Sequence, residues 1–161
     1  MCSMNEFIIR KLDANDKELF VSMRMAYIWD SFDDVVDHQA EKIEANLRVY
    51  FDDHINQDDL VAMVLEIEGE PVSIALLIIS KKPANPGFID GRVGTIMNVY
   101  TIPEYRKRGY STALLSELIN EARKRQLGLI NLLATDKAYH LYKKLGFQED
   151  EDKAMEMKLG F

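Results

Sequence analysis

Apolar and polar positions change their period several times along the chain, and each change marks an element. Phe7 to Leu12 sets Phe7 and Ile9 against Ile8 and Arg10, the two-residue period of a strand. Asp13 to Asp16 reads as a capping turn into a helix from Lys17 to about Trp29. A second helix is expected from about Val35 to Phe51, with Ile43, Leu47, Val49, Tyr50 and Phe51 on or near its buried side. Leu60 to Ile67 and Pro71 to Ile79 are apolar runs around Glu68-Gly69-Glu70, the signal of a hairpin. Pro83, Pro86, Gly87 and Gly91 make Lys81 to Arg92 a loop. Thr95 to Thr101, rich in β-branched and aromatic residues, predicts a strand. Thr112 to Gln126 predicts a helix, with Leu114, Leu115, Leu118, Ile119 and Ala122 at helical spacing. A short strand, Gly128 to Ala134, leads to a helix opened by Thr135 and Asp136 and stopped at Gly146. Met155, Met157 and Leu159 alternate as a closing strand.

No repeat, low-complexity tract or linker interrupts this series, so residues 1–161 are read as one domain. Hydrophobic content of 47% with 29% charged residues is that of a soluble globular chain. The longest apolar run, Ile74 to Ile79, is too short for a membrane span, and Met1 to Asn5 shows no signal peptide. Cys2, the single cysteine, has no internal partner, which fits a reducing cytoplasm. A net charge of −7 argues against nucleic acid as a partner, because wide phosphate contact needs basic surface. The charge is uneven. Asp30, Asp33, Asp34, Asp37 and other acidic residues load the first half, whereas Arg106, Lys107, Arg108, Arg123, Lys124 and Arg125 load the second. One side suits a cation and the other an anion; solvated helix faces account for much of the acidic part equally well.

Candidate chemistry begins at Arg106-Lys107-Arg108-Gly109-Tyr110-Ser111, set between strand and helix. A glycine turn that opens a helix directs backbone N–H groups at one point, on the positive end of the helix dipole, and so suits a phosphate. It is neither a P-loop nor the three-glycine dinucleotide fingerprint. By itself the run is equally a basic surface turn. The second motif, Ala138-Tyr139-His140-Leu141-Tyr142-Lys143-Lys144-Leu145-Gly146-Phe147, matches Ala-x-x-Leu-Tyr-x-x-Leu-Gly-Phe letter for letter. At this spacing the pair resembles the GNAT superfamily of acyl-CoA-dependent N-acetyltransferases, across nearly the whole chain.

The resemblance implies an α/β (α+β) fold, a twisted mixed, mostly antiparallel sheet with helices on both faces. It implies acetyl-CoA as co-substrate, no metal, and acetyl transfer to a primary amine of a small molecule by direct attack. Peptide or protein N-acetylation and a non-catalytic acyl-CoA-binding module are the alternatives. By the same resemblance, Lys107, Arg108, Gly109, Tyr110, Ser111 and Thr112 wrap the pyrophosphate with Arg106 beside them. Val99, Tyr100 and Thr101 end a splayed strand that pairs with the pantetheine. Tyr142 matches the family's general acid to the thiolate, with Tyr139 as the backup donor. Thr135 stands where Asn is common, near the pantetheine, and equally caps its helix. Ser111 replaces the usual Gly or Ala. No general base is identified: Asn98 occupies the strand where some members carry a glutamate, and His38, His54, His140 and Glu104 read as surface residues.

Tyr27, Trp29, Asp30, Phe32, Asp33 and Asp34 fall in the segment that selects the acceptor in the family, and aromatic faces beside carboxylates suit a cationic amine. The plainer assignment puts Trp29 and Phe32 in the core and lets the aspartates cap the next helix. Many members are dimers, so the resemblance also admits a homodimer.

Overall fold

The computed structural model describes residues 6–151 and 157–161. Strand β1 (Phe7–Lys11) leads through a 3-10 turn (Ala14–Asp16) to helices α1 (Lys17–Ser31) and α2 (Asp37–His54). Strands β2 (Leu60–Ile67), β3 (Glu70–Lys81) and β4 (Arg92–Thr101) follow as a meander. Helix α3 (Tyr110–Lys124), strand β5 (Ile130–Asn131) and helix α4 (Tyr139–Lys144) complete the chain of elements. The sheet order is β1-β2-β3-β4-β5, antiparallel except for the parallel pair β4 and β5. This is the mixed, mostly antiparallel sheet, with helices on both faces, that the resemblance implies.

The central strands read as nearly continuous apolar runs because both of their faces are covered. Val61, Met63 and Leu65 of β2 join Ala75 and Leu77 of β3 under Leu114, Leu115 and Leu118 of α3. Ala62, Val64, Ile74 and Leu76 meet Phe20, Val21 and Ile28 of α1 and Phe51 of α2 on the other face. Full burial of each Val, Leu, Ile, Met or Phe side chain among them contributes about 1.5–3 kcal/mol. The β2–β3 hairpin closes through Glu68 and Gly69, at φ 52° and 81°, the left-handed pair that a tight hairpin turn demands.

Several boundaries differ from the sequence expectation, among them β4, which starts at Arg92 and not Thr95, and α2, which runs on to His54. Helix α3 starts at Tyr110, before Thr112, because Gly109 at φ 82° turns the chain directly into it. Strand β5 shrinks from the expected Gly128–Ala134 to two residues, since only those pair with β4. Helix α4 starts at Tyr139: the carbonyl of Thr135 accepts the N–H groups of Ala138 and Tyr139 in a turn, so Thr135 and Asp136 precede the helix and do not open it. Of the expected closing strand, Met155 lies outside the described residues, while Met157 and Leu159 are exposed and in no strand.

Two irregularities in β4 position the site. Gly94 packs so closely that an added Cβ would sit 2.8 Å from both Ile130 Cγ2 and Leu77 Cδ1. Further on, Ile74 of β3 pairs with Tyr100 but Leu76 pairs with Met97, so β4 holds one residue more than its partner. Asn98, at φ 53°, absorbs it as a bulge.

Candidate functional site

Strand β5 holds β4 only at Gly94–Ile130 and Thr95–Asn131. The Thr95 hydroxyl donates to Asn131 Oδ1 at 2.8 Å, the last bond between them among the described residues. From Ile96 to Thr101, β4 runs on with β3 on one side and no strand on the other. Val99, Tyr100 and Thr101 therefore lie where β4 and β5 have split, and backbone groups along that edge have no strand partner.

The turn after β4 delivers the chain to α3. Lys107 (φ 60°) and Gly109 (φ 82°) both take left-handed backbone. The first bond inside α3 runs from the Ala113 N–H to the Gly109 carbonyl at 3.1 Å, and no side chain caps the helix. The N–H groups of Tyr110, Ser111 and Thr112 are thus left pointing out of the helix start, on the positive end of its dipole. A Cβ built on Gly109 meets no atom within 4 Å, so this turn has an open face. The free amides, the dipole and the open face together fit an anionic group such as a pyrophosphate.

Ser111 turns its hydroxyl inward. It bonds Thr101 Oγ1 at 2.7 Å, which bonds the buried Ser73 hydroxyl at 2.8 Å, while Ser73 donates to the Tyr100 carbonyl at 3.1 Å. This chain of hydroxyls fixes the end of β4 against the start of α3.

The basic triplet is not one uniform patch. Arg106 donates from Nε to the Thr101 carbonyl at 2.8 Å and from its terminal nitrogen to Asp30 at 2.9 Å, with its guanidinium over the Tyr100 ring. Its side chain ties the turn to the end of α1. Arg108 lies over the Tyr105 ring.

Tyr142, on α4, is buried among the side chains that pack against α3, edge-on to Phe147. Burial raises its pKa above the ordinary tyrosine value, with a further push from the nearby Tyr27 hydroxyl. It therefore holds its proton at neutral pH. Tyr139 hydrogen-bonds Glu149 and is tied to that carboxylate rather than turned inward. Thr135 is exposed, and its carbonyl rather than its hydroxyl is engaged.

Facing Tyr142 across the split is α1. Tyr27 stands edge-on to Tyr100, with ring centroids 6.5 Å apart, and Arg24 lies over the Tyr27 ring at 5.2 Å. Arg24 also donates to Asn98 Oδ1 at 2.9 Å. Trp29 and Phe32 are not core: they are 50% and 56% exposed, at the end of α1 and just beyond it. Nor do the aspartates cap α2, whose start is closed by Gln39 Oε1 accepting the Val36 N–H. Asp33 and Asp34 are exposed instead, and Asp30 holds Arg106. His54 is half-buried and bonds Asp59 at 2.8 Å. Among the described residues no three His, Cys, Asp or Glu side chains converge as metal ligands do, and no helix is long and apolar enough to cross a membrane.

Arg24 was not legible as a functional residue, since no motif contains it. The signal that could have found it is a cation between Phe20, Val21 and Met23 on one side and Met25 and Ile28 on the other, all of them buried.

Known proteins share this fold. A family model described as the acetyltransferase (GNAT) family matches residues 23–147. The crystal structure of a predicted acetyltransferase with acetyl-CoA from Clostridium acetobutylicum is 31% identical, with a TM-score of 0.83, over 95% of this chain and 96% of that one. An aminoglycoside acetyltransferase from an uncultured soil metagenomic sample is 20% identical, with a TM-score of 0.75 over 97% and 99% of the two chains, a likeness of fold alone. An uncharacterised N-acetyltransferase of Pyropia yezoensis is 31% identical over 88 residues, 50% of this chain and 51% of that one. The chain spans about half the length of the curated relatives it matches.

Proposed function

We propose that this chain, which belongs to the acetyltransferase (GNAT) family, transfers the acetyl group of acetyl-CoA to a primary amine of a small molecule. The observation that carries the reading is the split of β4 from β5 after Thr95, with the open N-terminus of α3 at one end and Tyr142 beside it. The Clostridium acetobutylicum protein, 31% identical and solved with acetyl-CoA, supports acetyl-CoA as the donor.

In this reading the amides of Tyr110, Ser111 and Thr112 receive the pyrophosphate at the face left open by Gly109, with Lys107 and Arg108 adding positive charge. Arg106 acts indirectly, by holding the turn to Thr101 and Asp30. The free edge of Val99, Tyr100 and Thr101 pairs with the amides of the pantetheine arm, as a further strand would. Thr135, exposed on the turn before α4, lines the far side of that arm. The neutral amine attacks the thioester carbonyl carbon, and a backbone N–H of β4 stabilises the oxyanion that forms. Collapse breaks the C–S bond; Tyr142 gives its proton to the departing thiolate and the new amide nitrogen loses one to water. The acidic, aromatic end of α1 suits the approach of a cationic amine, with Asp33 and Asp34 as the carboxylates not already bonded to Arg106. The same reading keeps the protein in the cytoplasm, which its single cysteine suits.

A screen of small amines with acetyl-CoA, read as free CoA thiol, tests the proposal. Thiol release that depends on an amine supports the enzyme. Binding of acetyl-CoA without amine-dependent release from any acceptor, including peptides, contradicts it in favour of a binding module.

A further inference from the structure

Arg24 is a partly buried cation for which no carboxylate partner exists among the described residues. Its neighbours are neutral: the Tyr27 ring at 5.2 Å, Tyr50 on α2, and Asn98 Oδ1 at 2.9 Å. Every other arginine that reaches inward, Arg10 and Arg125 among them, has a carboxylate. A charge withdrawn from water without a counter-charge is costly, and a fold keeps one only where something else compensates it. The second observation is Asn98 itself. It is 4% exposed, its carbonyl is taken by Arg24, and its Nδ2 is buried with no acceptor. An orphaned amide donor and an unpaired guanidinium thus stand side by side, on the bulge of β4 and the facing turn of α1. Tyr27, which stacks beneath Arg24, also acts on Tyr142.

We infer that Arg24 and Asn98 form a receptor for a carboxylate carried by the acetyl acceptor, so that the substrate is an amino acid or another amine bearing a carboxyl group. The inference rests on the acetyltransferase reading above and narrows its acceptor. Carboxylate fits better than phosphate, because one arginine supplies one positive charge, and Arg106, over the neighbouring Tyr100 ring, is already paired with Asp30. A planar carboxylate matches the guanidinium fork and leaves an oxygen for the Asn98 N–H. Burial lowers the pKa of the Arg24 guanidinium from its ordinary value, in keeping with a cation held away from compensating charge, yet arginine stays protonated throughout. The exposed Asp33 and Asp34 then face the ammonium of the same zwitterion, not its carboxylate.

The test is a panel of the common amino acids, each beside its carboxamide, with glucosamine 6-phosphate as the phosphate-bearing arm, assayed by thiol release at saturating acetyl-CoA. The best amino acid should exceed its carboxamide in kcat/KM by about 10–100-fold, the range of a hydrogen-bonded charge. Arg24→Gln should bring that ratio close to one, with the acetyl-CoA KM unchanged. Asn98→Asp keeps the side-chain shape but supplies Arg24 with an internal counter-charge. It should abolish the preference for the acid while raising the thermal midpoint. Equal rates on acid and carboxamide in the parent, a ratio that survives both substitutions, or a phosphorylated amine preferred over every carboxylate would each overturn the inference. Failure of acetyl-CoA to bind would instead remove the reading on which it rests.

Discussion

Tyr142 stands with its hydroxyl proton secured by burial, and the tyrosine one turn earlier is already bonded to Glu149. That asymmetry gives Tyr142→Phe a defined outcome. The substitution should lower kcat, by about 10–100-fold or less because water replaces the phenol, and leave the acetyl-CoA KM nearly unchanged. The parent kcat should hold steady from neutral pH to beyond ~10, the ordinary tyrosine value, and fall above it as the phenol loses the proton it must give. The phenylalanine variant should show no such fall. Rates measured across pH for both proteins check it; an effect confined to KM would make Tyr142 a binding residue. That Tyr142 is the inward tyrosine was legible because the six fixed residues of the pattern from Ala138 to Phe147 are all present, and the pattern fixes which of two tyrosines turns inward. Arg24 and Asn98 were not. They are 74 residues apart in the chain, and only folding reveals that Arg24 has no carboxylate beside it and Asn98 Nδ2 no acceptor.

The element that matters most is β4, and its strand character was plain from Thr95 to Thr101. Its departure from β5 was implied only by the family resemblance and not by the residue pattern, because splaying depends on where hydrogen bonds stop and not on which side chains alternate. The sequence placed seven residues in the strand that became β5; the structure pairs two, Ile130 and Asn131. The glycine turn that leads into α3 was also legible, although the helix starts at Tyr110 and not at Thr112; the engagement of its basic residues was not. Charge along the chain suggested a triplet, whereas Arg106 is held by Thr101 and Asp30. Gly94 sets how closely β4 and β5 approach before they part. Gly94→Ala places a Cβ 2.8 Å from Ile130 Cγ2 and from Leu77 Cδ1, and 3.0 Å from Leu127 Cδ1. Three methyl groups must give way together, so a loss of about 1–3 kcal/mol is expected. Denaturant unfolding checks it, and a variant as stable as the parent would show that the seam is looser than its geometry.

At the scale of the molecule, the carboxylates serve two purposes. Asp16 is held below the usual carboxylate range by its bond to Arg10. Glu121 also stays below that range: burial pushes it up, and Lys11 and Arg125 more than reverse the push. Both carboxylates titrate lower when folded than when unfolded. Their contribution to stability is therefore complete above the unfolded values of about 4, and is lost as pH falls below them through the folded ones. The thermal midpoint should drop across that window, and less steeply in Asp16→Asn than in the parent. Asp33 and Asp34, exposed at the other end of α1, make their mark on substrate instead. Converting both to Asn should raise the KM of the best amine at low ionic strength, an effect that fades with salt. Steady-state kinetics at two salt concentrations would show it, and unchanged KM at low salt would move the acceptor's ammonium elsewhere.

The split of β4 from β5, with the uncapped amides of α3 at its end, is the account's central claim, and acetyl-CoA binding tests it most directly. A ligand at about 100 times its Kd adds about 2.7 kcal/mol to the folded state, which in a chain of this length raises the midpoint by about 5–10 °C. Acetyl-CoA and CoA should both produce a rise of that size in the parent. Gly109→Asn retains a residue that tolerates φ 82° but adds a side chain at the open face of the turn, so its own midpoint should respond little or not at all. A parent that shows no shift at saturating acetyl-CoA, or a Gly109→Asn variant that shifts as far as the parent, would contradict the account.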